Sequence, residues 1–358
     1  MTEDQPSVQG AVCPPPLPHR DRIVLGHGSG GKLSRRLIEQ VFMPALRNPF
    51  LDMRDDSAVF QIPMMIADGA RLALSTDSHV VSPLFFPGGD IGRLAVCGTV
   101  NDLSMVGASP LYLTAGFILE EGLSVADLER ILQSMKHAAE EAGIFIVAGD
   151  TKVVQKGKAD GLYINTAGVG LVDPLVNISG ANAKPGDIII LSGSIGDHGI
   201  AVLQARGELG FESQIESDVA PLNHLTHGML EASKEIHVLR DPTRGGLATT
   251  LNEIASQSQV GIIIEETLLP VNPAVASACE MLGFDPLNVA NEGKLVAFVS
   301  ESSASKVIEA MKHTEIGKDS VAIGRVVSTP PGIVLMKTQI GSTRILDSLS
   351  GEMLPRIC

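Results

Sequence analysis

Apolar and polar positions along the first half of the chain predict strands that end at polar corners, with helices between them. Residues 71–76 and 144–148 are short apolar runs, and they stop at Thr76-Asp77-Ser78 and Gly149-Asp150-Thr151. Between the runs, residues 91–106 predict one helix and a second begins at Ser124. Asp127 follows three residues later as a capping-box partner, and Gly143 comes after the last helical position.

The second half repeats this alternation after a boundary that Gly, Asn and Pro mark at residues 177–186. The pattern predicts strands at 187–191, 261–265 and 294–299, and helices near 199–206, 222–237 and 246–256. We therefore predict two α/β domains. The proposed division is a Pro-rich extension (1–21), an N-terminal domain (22–180), a C-terminal domain (181–345) and a mobile tail (346–358).

Composition excludes several classes of protein. Apolar residues make up 44% of the 358 residues and aromatic residues 3%, which suits packed domains but leaves few rings to stack on nucleic-acid bases. The 27 basic and 41 acidic residues give a net charge of −14. That charge disfavours nucleic acid as a partner, although nucleotides held through Mg²⁺ remain compatible with it.

The chain shows neither a membrane span nor a disulfide framework. No apolar run approaches the ~18 residues that a transmembrane helix needs, and the start lacks the apolar stretch of a signal peptide. The cysteines are too far apart in sequence to suggest zinc or paired thiols: Cys13, Cys97, Cys279 and Cys358. We expect a cytoplasmic protein with no membrane partner.

Residues 26–32, Gly-His-Gly-Ser-Gly-Gly-Lys, match two phosphate-binding patterns incompletely. The dinucleotide pattern expects an acidic residue ~20 positions on, and Asp52 there does not close a βαβ unit. The P-loop pattern fails at Leu33, where Ser or Thr should hold magnesium. We favour a flexible glycine arm that brings backbone N–H groups and Lys32 onto an anion. A plain mobile loop and a Rossmann turn are the alternatives.

Aspartates recur in corners rich in Gly, Ser and Thr. Any single one is more often a turn former than a ligand, but together they offer the hard oxygen donors that Mg²⁺ and phosphate sites use. Asn101-Asp102 interrupts a helix of small apolar residues, and a carboxylate buried there needs a cation or several donors. The corners are Asp55-Asp56, Asp77, Asn101-Asp102, Asp150 and Asp241.

Four further positions carry candidate chemistry. Gly245-Gly246 opens a helix beside Arg244, which suits a phosphate. Glu292, in a tight turn, and Lys152 are each either an acid or base or a solvated surface residue. Cys358 ends a short tail containing Gly and Pro, and is either an incidental thiol or the carrier of a covalently bound group.

Together these segments resemble the ATP-dependent superfamily of aminoimidazole ribonucleotide synthetase (PurM), selenophosphate synthetase and thiamine-monophosphate kinase. They are most similar to the HypE family of nickel–iron hydrogenase maturation factors, from about Arg22 to the last residue. The matching segments are Gly28-Ser-Gly-Gly-Lys32, Asp56-Ser-Ala-Val59, Ser75-Thr-Asp-Ser78, Gly88-Gly-Asp-Ile-Gly92, Asn101-Asp-Leu-Ser-Met105, Gly149-Asp-Thr-Lys152, Asp241-Pro-Thr-Arg-Gly-Gly-Leu247, Asn291-Glu-Gly293 and Pro355-Arg-Ile-Cys358. The last of these makes the resemblance specific.

The resemblance implies a PurM-like two-domain α/β fold in a homodimer, with N-terminal strands forming a barrel across the dimer. It also implies a reaction. A carbamoyltransferase loads a carbamoyl group onto the Cys358 sulfur, and ATP phosphorylates the carboxamide oxygen. Loss of phosphate and a proton then leaves a thiocyanate, which supplies cyanide for the hydrogenase iron.

The resemblance also assigns roles by motif match. Cys358 is the carrier, and Glu292 and Lys152 handle protons. The implied ligands of Mg²⁺ are Asp56, Asp77, Asp102 and Asp241. The implied ATP contacts are Lys32, Asp77, Asn101, Gly149, Asp150, Thr151, Thr243, Arg244, Gly245 and Gly246.

The implied partners are a second copy of the chain, the carbamoyltransferase HypF and the HypC–HypD iron scaffold complex. Two alternatives stay open at this point. One is another ATP-dependent kinase or synthetase of the superfamily that acts on a small molecule, in which Cys358 is incidental. The other is a non-catalytic scaffold that binds ATP only to organise an assembly complex.

Overall fold

The computed structural model describes residues 31–37, 39, 58–61, 69–207 and 214–348. Two sheets and the helices around them account for most of these residues. The helices are α1 (Lys32–Leu37), α2 (Ile91–Met105), α3 (Val125–Ala142), α4 (Asp197–Ala205), α5 (Asn223–Ala232), α6 (Gly246–Ser258), α7 (Pro273–Leu282) and α8 (Glu301–Lys312). The predicted extension 1–21 lies outside the described residues.

The first sheet is built from the N-terminal half and has the order β1-β2-β7-β5-β6. Its strands are β1 (Ala58–Gln61), β2 (Arg71–His79), β5 (Ala108–Glu120), β6 (Phe145–Val154) and β7 (Leu162–Val172), and the short strands β3 (Phe85–Phe86) and β4 (Gly89–Asp90) pair separately. Neighbouring strands are antiparallel except β5 and β6, which are parallel. This sheet therefore leaves β6 at one edge.

The second sheet is built from the C-terminal half and has the order β14-β13-β10-β12-β8-β11-β9. Its strands are β8 (Ile188–Leu191), β9 (Ile236–Arg240), β10 (Gly261–Glu265), β11 (Val296–Val299), β12 (Val321–Val327), β13 (Val334–Lys337) and β14 (Thr343–Leu346). The central strands β8 and β11 are almost wholly buried, as their continuous apolar runs predict. The two sheets confirm the predicted two-domain α/β fold.

Local signals predicted α2 and α3 closely. Ser124 caps α3 by accepting the Asp127 N–H at 3.4 Å, and Gly143 ends the helix in the left-handed conformation, at φ 70°. In α2 nearly every residue is buried, because the helix lies against the first sheet on one side and α3 on another. Asp90 caps α2 by accepting the Gly92 and Arg93 N–H groups.

Three predicted boundaries were wrong. The polar triplets 76–78 and 149–151 do not end their strands, since β2 continues to His79 and β6 to Val154. In both cases a neighbouring strand keeps pairing with the polar residues. The predicted helix 222–237 ends at Ala232, and residues 236–240 form β9 instead. A short apolar run is compatible with a helix or with a strand. Here residues 236–240 form a strand because they pair with β11.

A shared hydrophobic core joins the two halves. Leu103 and Met105 of α2 and Ala73 of β2 pack in one cluster with Leu222 and Leu295 from the C-terminal half. The C-terminal end of α2 therefore lies at the junction, which brings Asn101-Asp102 next to segments of both domains. In the part of the chain that the structure describes, no helix is long and apolar enough to cross a membrane.

Candidate active site

A row of polar side chains on β2 faces α2. Strand alternation places Ser75, Asp77 and His79 on the same side of the strand, and they are less exposed than the residues between them. The Ser75 Oγ donates a hydrogen bond to Asp102 Oδ2 at 2.6 Å, and His79 Nε2 lies 3.5 Å from Asp77 Oδ2. Asp77 and Asp102, distant in sequence, thus belong to one polar seam between strand and helix.

Gly98 leaves the space that this seam occupies. A Cβ atom there would lie 2.8 Å from His79 Cε1 and 3.3 Å from Asp77 Oδ2. Burial lowers the pKa of His79, and Arg244 lowers it further, although the Asp77 carboxylate acts in the opposite direction. His79 is therefore a neutral side chain at neutral pH, packed against Asp77.

Asn101 points away from this seam, towards the C-terminal half. Its Nδ2 donates to the carbonyl oxygens of Ala220 and Glu292 at 3.1 and 3.2 Å, and its Oδ1 accepts the Leu222 N–H at 2.8 Å. The side chain is buried, and both amide protons are used on protein backbone. The predicted contact of Asn101 with ATP stays a prediction, but the bonds that the amide makes are between domains.

The Glu292 turn is fixed to its surroundings by its backbone. Asp218 accepts the N–H of Glu292 at 3.0 Å and of Gly293 at 3.3 Å, and Lys294 Nζ lies 3.7 Å from the same carboxylate. Position 293 has to be glycine, because a Cβ atom would lie 1.8 Å from the carbonyl oxygen of Asp218. The turn consequently has little freedom to move relative to residues 218–222.

The Glu292 side chain is buried among acidic residues. Only 5% of the residue is exposed. Burial raises its pKa well above the usual value, and Asp241, Asp77 and Asp218 raise it further, while Arg244 opposes them. Residues from both halves of the chain therefore surround one carboxyl group, and the structure brings together four positions that the motifs singled out: Asp77, Asp241, Arg244 and Glu292.

The segment 241–246 is held against the Glu292 turn by Asn291. The Asn291 Nδ2 donates to the Pro242 carbonyl at 2.8 Å, and its Oδ1 accepts the Gly196 N–H at 2.8 Å. Gly246 has a left-handed backbone, and a Cβ atom there would lie 2.5 Å from the Leu287 carbonyl. Beside it, Thr249 Oγ1 is buried without a hydrogen-bond partner among the described residues.

Lys152 and Asp150 lie elsewhere, on the edge strand β6. The Lys152 Nζ is 2.9 and 2.7 Å from the two Asp150 carboxylate oxygens, and both side chains are 69% exposed. Gly149, the residue before Asp150, packs closely on β5, since a Cβ atom would lie 2.8 Å from the Ala115 carbonyl. The structure thus describes the predicted proton-handling pair as one buried and one exposed residue.

Several predicted site residues are only partly described. Lys32 is at the start of α1, and its Nζ lies 3.0 Å from Asp347 Oδ2 near the end of the described chain. Residues 26–30 of the glycine arm, Asp56 and Cys358 lie outside the described residues. Within the described ranges, no three His, Cys, Asp or Glu side chains converge closely enough to hold a metal ion by themselves.

Two residues of the site were missed in the sequence. Asp218 lies in an extended segment without a motif, and no signal in the sequence connects it with Glu292. His79 could have been found, because it follows Ser75 and Asp77 at the strand period of two.

The two described cysteines are structural. Burial raises the pKa of Cys97, in α2, to about 12. Burial also raises the pKa of Cys279, in α7, to about 11. Both thiols are free of disulfide bonds and buried.

Comparison with known proteins identifies the family of this chain. Residues 54–172 match the N-terminal domain model of AIR synthase related proteins, and residues 184–337 match the C-terminal domain model. The chain is 53% identical over 337 residues to the carbamoyl dehydratase HypE of Cupriavidus necator, covering 94% of this chain and 95% of that protein. The chain belongs to the HypE family.

Solved structures of the HypE family have the same fold. HypE in a crystal structure of a HypE–HypF complex aligns with a TM-score of 0.82 at 52% identity, covering 87% of this chain and 99% of that one. HypE in complex with ATP aligns with a TM-score of 0.78 at 48% identity, covering 94% of this chain and all of that one. The PurM-like architecture predicted for this HypE-family chain is therefore confirmed.

Proposed function

We propose that this chain is an ATP-dependent carbamoyl dehydratase that acts on its own C-terminal thiol. A carbamoyl group on the Cys358 sulfur loses its oxygen to the γ-phosphoryl group of ATP and its nitrogen-bound protons to the protein. The products are a thiocyanate on Cys358, ADP and phosphate. The thiocyanate supplies cyanide to the iron of a nickel–iron hydrogenase.

The observation that carries this proposal is the environment of Glu292. Its buried carboxyl lies near Asp77, Asp241 and Arg244, which come from motifs far apart in sequence. A carboxyl group with a raised pKa is a better base than an ordinary one, and thus suits removal of a proton from a weakly acidic N–H group. We assign this step to Glu292, with Lys152 as the second proton-handling residue.

Mg²⁺ would be held by Asp77, Asp102 and Asp241, together with Asp56. Their hard oxygen atoms fit this ion, which commonly takes one or two carboxylates and completes its shell with water and phosphate oxygens. Bound there, Mg²⁺ would neutralise charge on the phosphates of ATP. At the N-terminus of α6, the unpartnered Thr249 hydroxyl and the Gly245-Gly246 backbone suit a phosphate group.

We further propose a cytoplasmic homodimer formed through the first sheet. On the edge strand β6, Phe145, Val147 and Val153 are 73%, 56% and 68% exposed. Large apolar side chains on an edge strand are unfavourable in water and favour association with another surface. A barrel made by the N-terminal strands of two copies would cover them. The further partners are HypF, which would load the carbamoyl group, and the HypC–HypD complex, which would receive the cyanide.

Intact mass spectrometry tests the reaction directly. The full chain, carbamoylated by its partner carbamoyltransferase, is measured before and after addition of Mg-ATP. Loss of one water that maps to the C-terminal peptide is expected. An unchanged mass with ATP bound would refute the dehydratase. Cys358→Ser is the control that carries no carbamoyl group, and ATP turnover that persists in it on a small substrate would favour a kinase or synthetase.

A further inference from the structure

The backbone of Glu292 is held on both sides, by the side chains of Asp218 and Asn101. Its N–H donates to Asp218 Oδ1 at 3.0 Å, and its carbonyl accepts Asn101 Nδ2 at 3.2 Å. Asn101 comes from α2 in the N-terminal half, whereas Asp218 precedes α5 in the C-terminal half. Two elements that belong to different domains therefore meet at the backbone of one residue.

The same two side chains are connected to each other through residues 218–222. Asn101 Nδ2 also donates to the Ala220 carbonyl at 3.1 Å, and the Leu222 N–H donates to Asn101 Oδ1 at 2.8 Å. The hydrogen bonds thus close a ring that consists of Asn101, the backbone of Glu292, Asp218, and residues 218–222, whose backbone is hydrogen-bonded to Asn101. A closed ring of buried bonds restricts each member more than separate bonds would.

We infer that Asn101 and Asp218 are positioning residues that fix the Glu292 carboxyl relative to α2 and its Asp102. This inference rests on the proposed function, in which Glu292 handles a proton. Asn101 neighbours Asp102 on α2. The ring therefore fixes the position of the Glu292 backbone relative to the polar seam that contains Asp102. Proton transfer depends steeply on such placement, and a displacement of about 1 Å can reduce a rate about 100-fold.

The test is single-turnover dehydration of the carbamoylated full chain, with the affinity for Mg-ATP measured in parallel. Asn101→Ala and Asp218→Ala are expected to lower the rate at saturating ATP by about 10- to 100-fold, and to change the ATP dissociation constant by less than about 3-fold. Because both act through one ring, the double variant should be little slower than either single variant.

Conservative variants separate positioning from folding. Asp218→Asn keeps one oxygen for the Glu292 N–H and should recover part of the rate that Asp218→Ala loses. Asn101→Asp keeps the shape but turns a carboxylate towards two carbonyl oxygens, and should be slower than Asn101→Ala. These variants also supply the measurement if an alanine variant fails to fold.

Asn223→Ala is the matched control. Asn223 also crosses between the halves, donating to the Ala142 carbonyl at 2.8 Å, but its amide does not contact the Glu292 turn. It should lose stability comparably and keep the dehydration rate within about 2-fold. A weakened affinity for ATP with an unchanged rate at saturation in Asn101→Ala would overturn the inference, since Asn101 would then be a nucleotide contact.

Glu292→Gln in the same assay separates a failure of the positioning role of Asn101 and Asp218 from a failure of the role proposed for Glu292. An inactive Glu292→Gln beside fully active Asn101→Ala and Asp218→Ala chains would overturn the positioning role alone. A fully active Glu292→Gln would overturn the proposed role of Glu292, and the positioning role with it.

Discussion

The Glu292 turn and the Gly149–Lys152 segment contain the two predicted proton-handling residues, but the first is buried and the second is exposed. The Glu292 turn is buried at the junction of two domains, and bonds from several segments hold its backbone. Lys152 is on an edge strand with most of its side chain exposed, and its ammonium pairs with Asp150 two residues away. One residue is preorganised and the other is adjustable.

The contrast indicates which of the two residues needs a second surface to complete its environment. A buried carboxyl has its geometry and its pKa set by the fold of a single chain. An exposed lysine on an edge strand acquires a comparable environment only when another surface covers it, and the apolar side chains of β6 suit such a surface. We therefore expect Glu292 variants to lower the rate of dehydration directly, and β6 variants to lower it by preventing association with another surface.

The largest effect is expected from Glu292→Gln. The amide keeps the size of the side chain but cannot accept the proton, so dehydration should fall by at least about 100-fold while Mg-ATP still binds. Rates are read by intact mass, and ATP binding by calorimetry. The control is Glu265→Gln, which removes an exposed carboxylate paired with Lys337; a wild-type rate for Glu292→Gln would contradict the assignment.

The next largest effect is expected from a variant of the exposed edge strand β6. Val153→Asp places a charge on the edge strand next to Lys152. If the proposed homodimer forms through β6, this variant should be a monomer and its dehydration rate should fall by about 10-fold or more. Light scattering gives the mass in solution, and circular dichroism checks the fold. Met281→Asp charges a similarly exposed apolar position, 70% accessible and on α7, and should change neither. A Val153→Asp dimer with full activity would refute the interface.

A smaller effect concerns the polar seam of β2 and α2. Asp102→Asn removes a negative oxygen that accepts from Ser75, and should weaken Mg-ATP binding by about 10-fold, or about 1.4 kcal/mol. Binding of ATP in the presence of EDTA should be nearly the same in both chains, because the role proposed for the carboxylate is to hold Mg²⁺. Equal affinities for Mg-ATP would remove Asp102 from the phosphate site.

The smallest effect is on stability and depends on pH. Because the pKa of Glu292 is raised in the folded chain, its protonated form favours folding at low pH, and that contribution is lost as the pH rises through the folded pKa. Gln imitates the protonated form at every pH. Without metal, Glu292→Gln should therefore raise the melting temperature by about 2 °C at pH 8 and by less at pH 5. A constant difference would show that Glu292 does not titrate between these values.

Local features of this chain could be predicted, and long-range ones could not. The caps of α3 depend on Ser124, Asp127 and Gly143, which lie within or next to the helix, so the sequence was sufficient. The lengths of β2 and β6 depend on neighbouring strands that pair with polar residues, and a pattern of apolar runs carries no information about a partner.

The same division holds for the site. Motif resemblance singled out Asp77, Asp241 and Glu292, and the fold brings them together. Asp218 was missed because its role depends on two backbone N–H groups more than seventy positions away. Backbone donors carry no sequence signal, so a residue that binds them is recognised only once the chain is folded.

The burial of Cys97 and Cys279 also determines how the chain can be labelled. Alkylating reagents react with thiolates, and pKa values of about 12 and about 11 leave both thiols protonated at pH 8. Any label found on the native chain then belongs to one of the other two cysteines in the sequence, Cys13 or Cys358. If Cys358 carries the proposed carbamoyl group, its sulfur cannot be alkylated. A smaller number of labels after carbamoylation would then report loading of Cys358, with no need to mutate either buried cysteine.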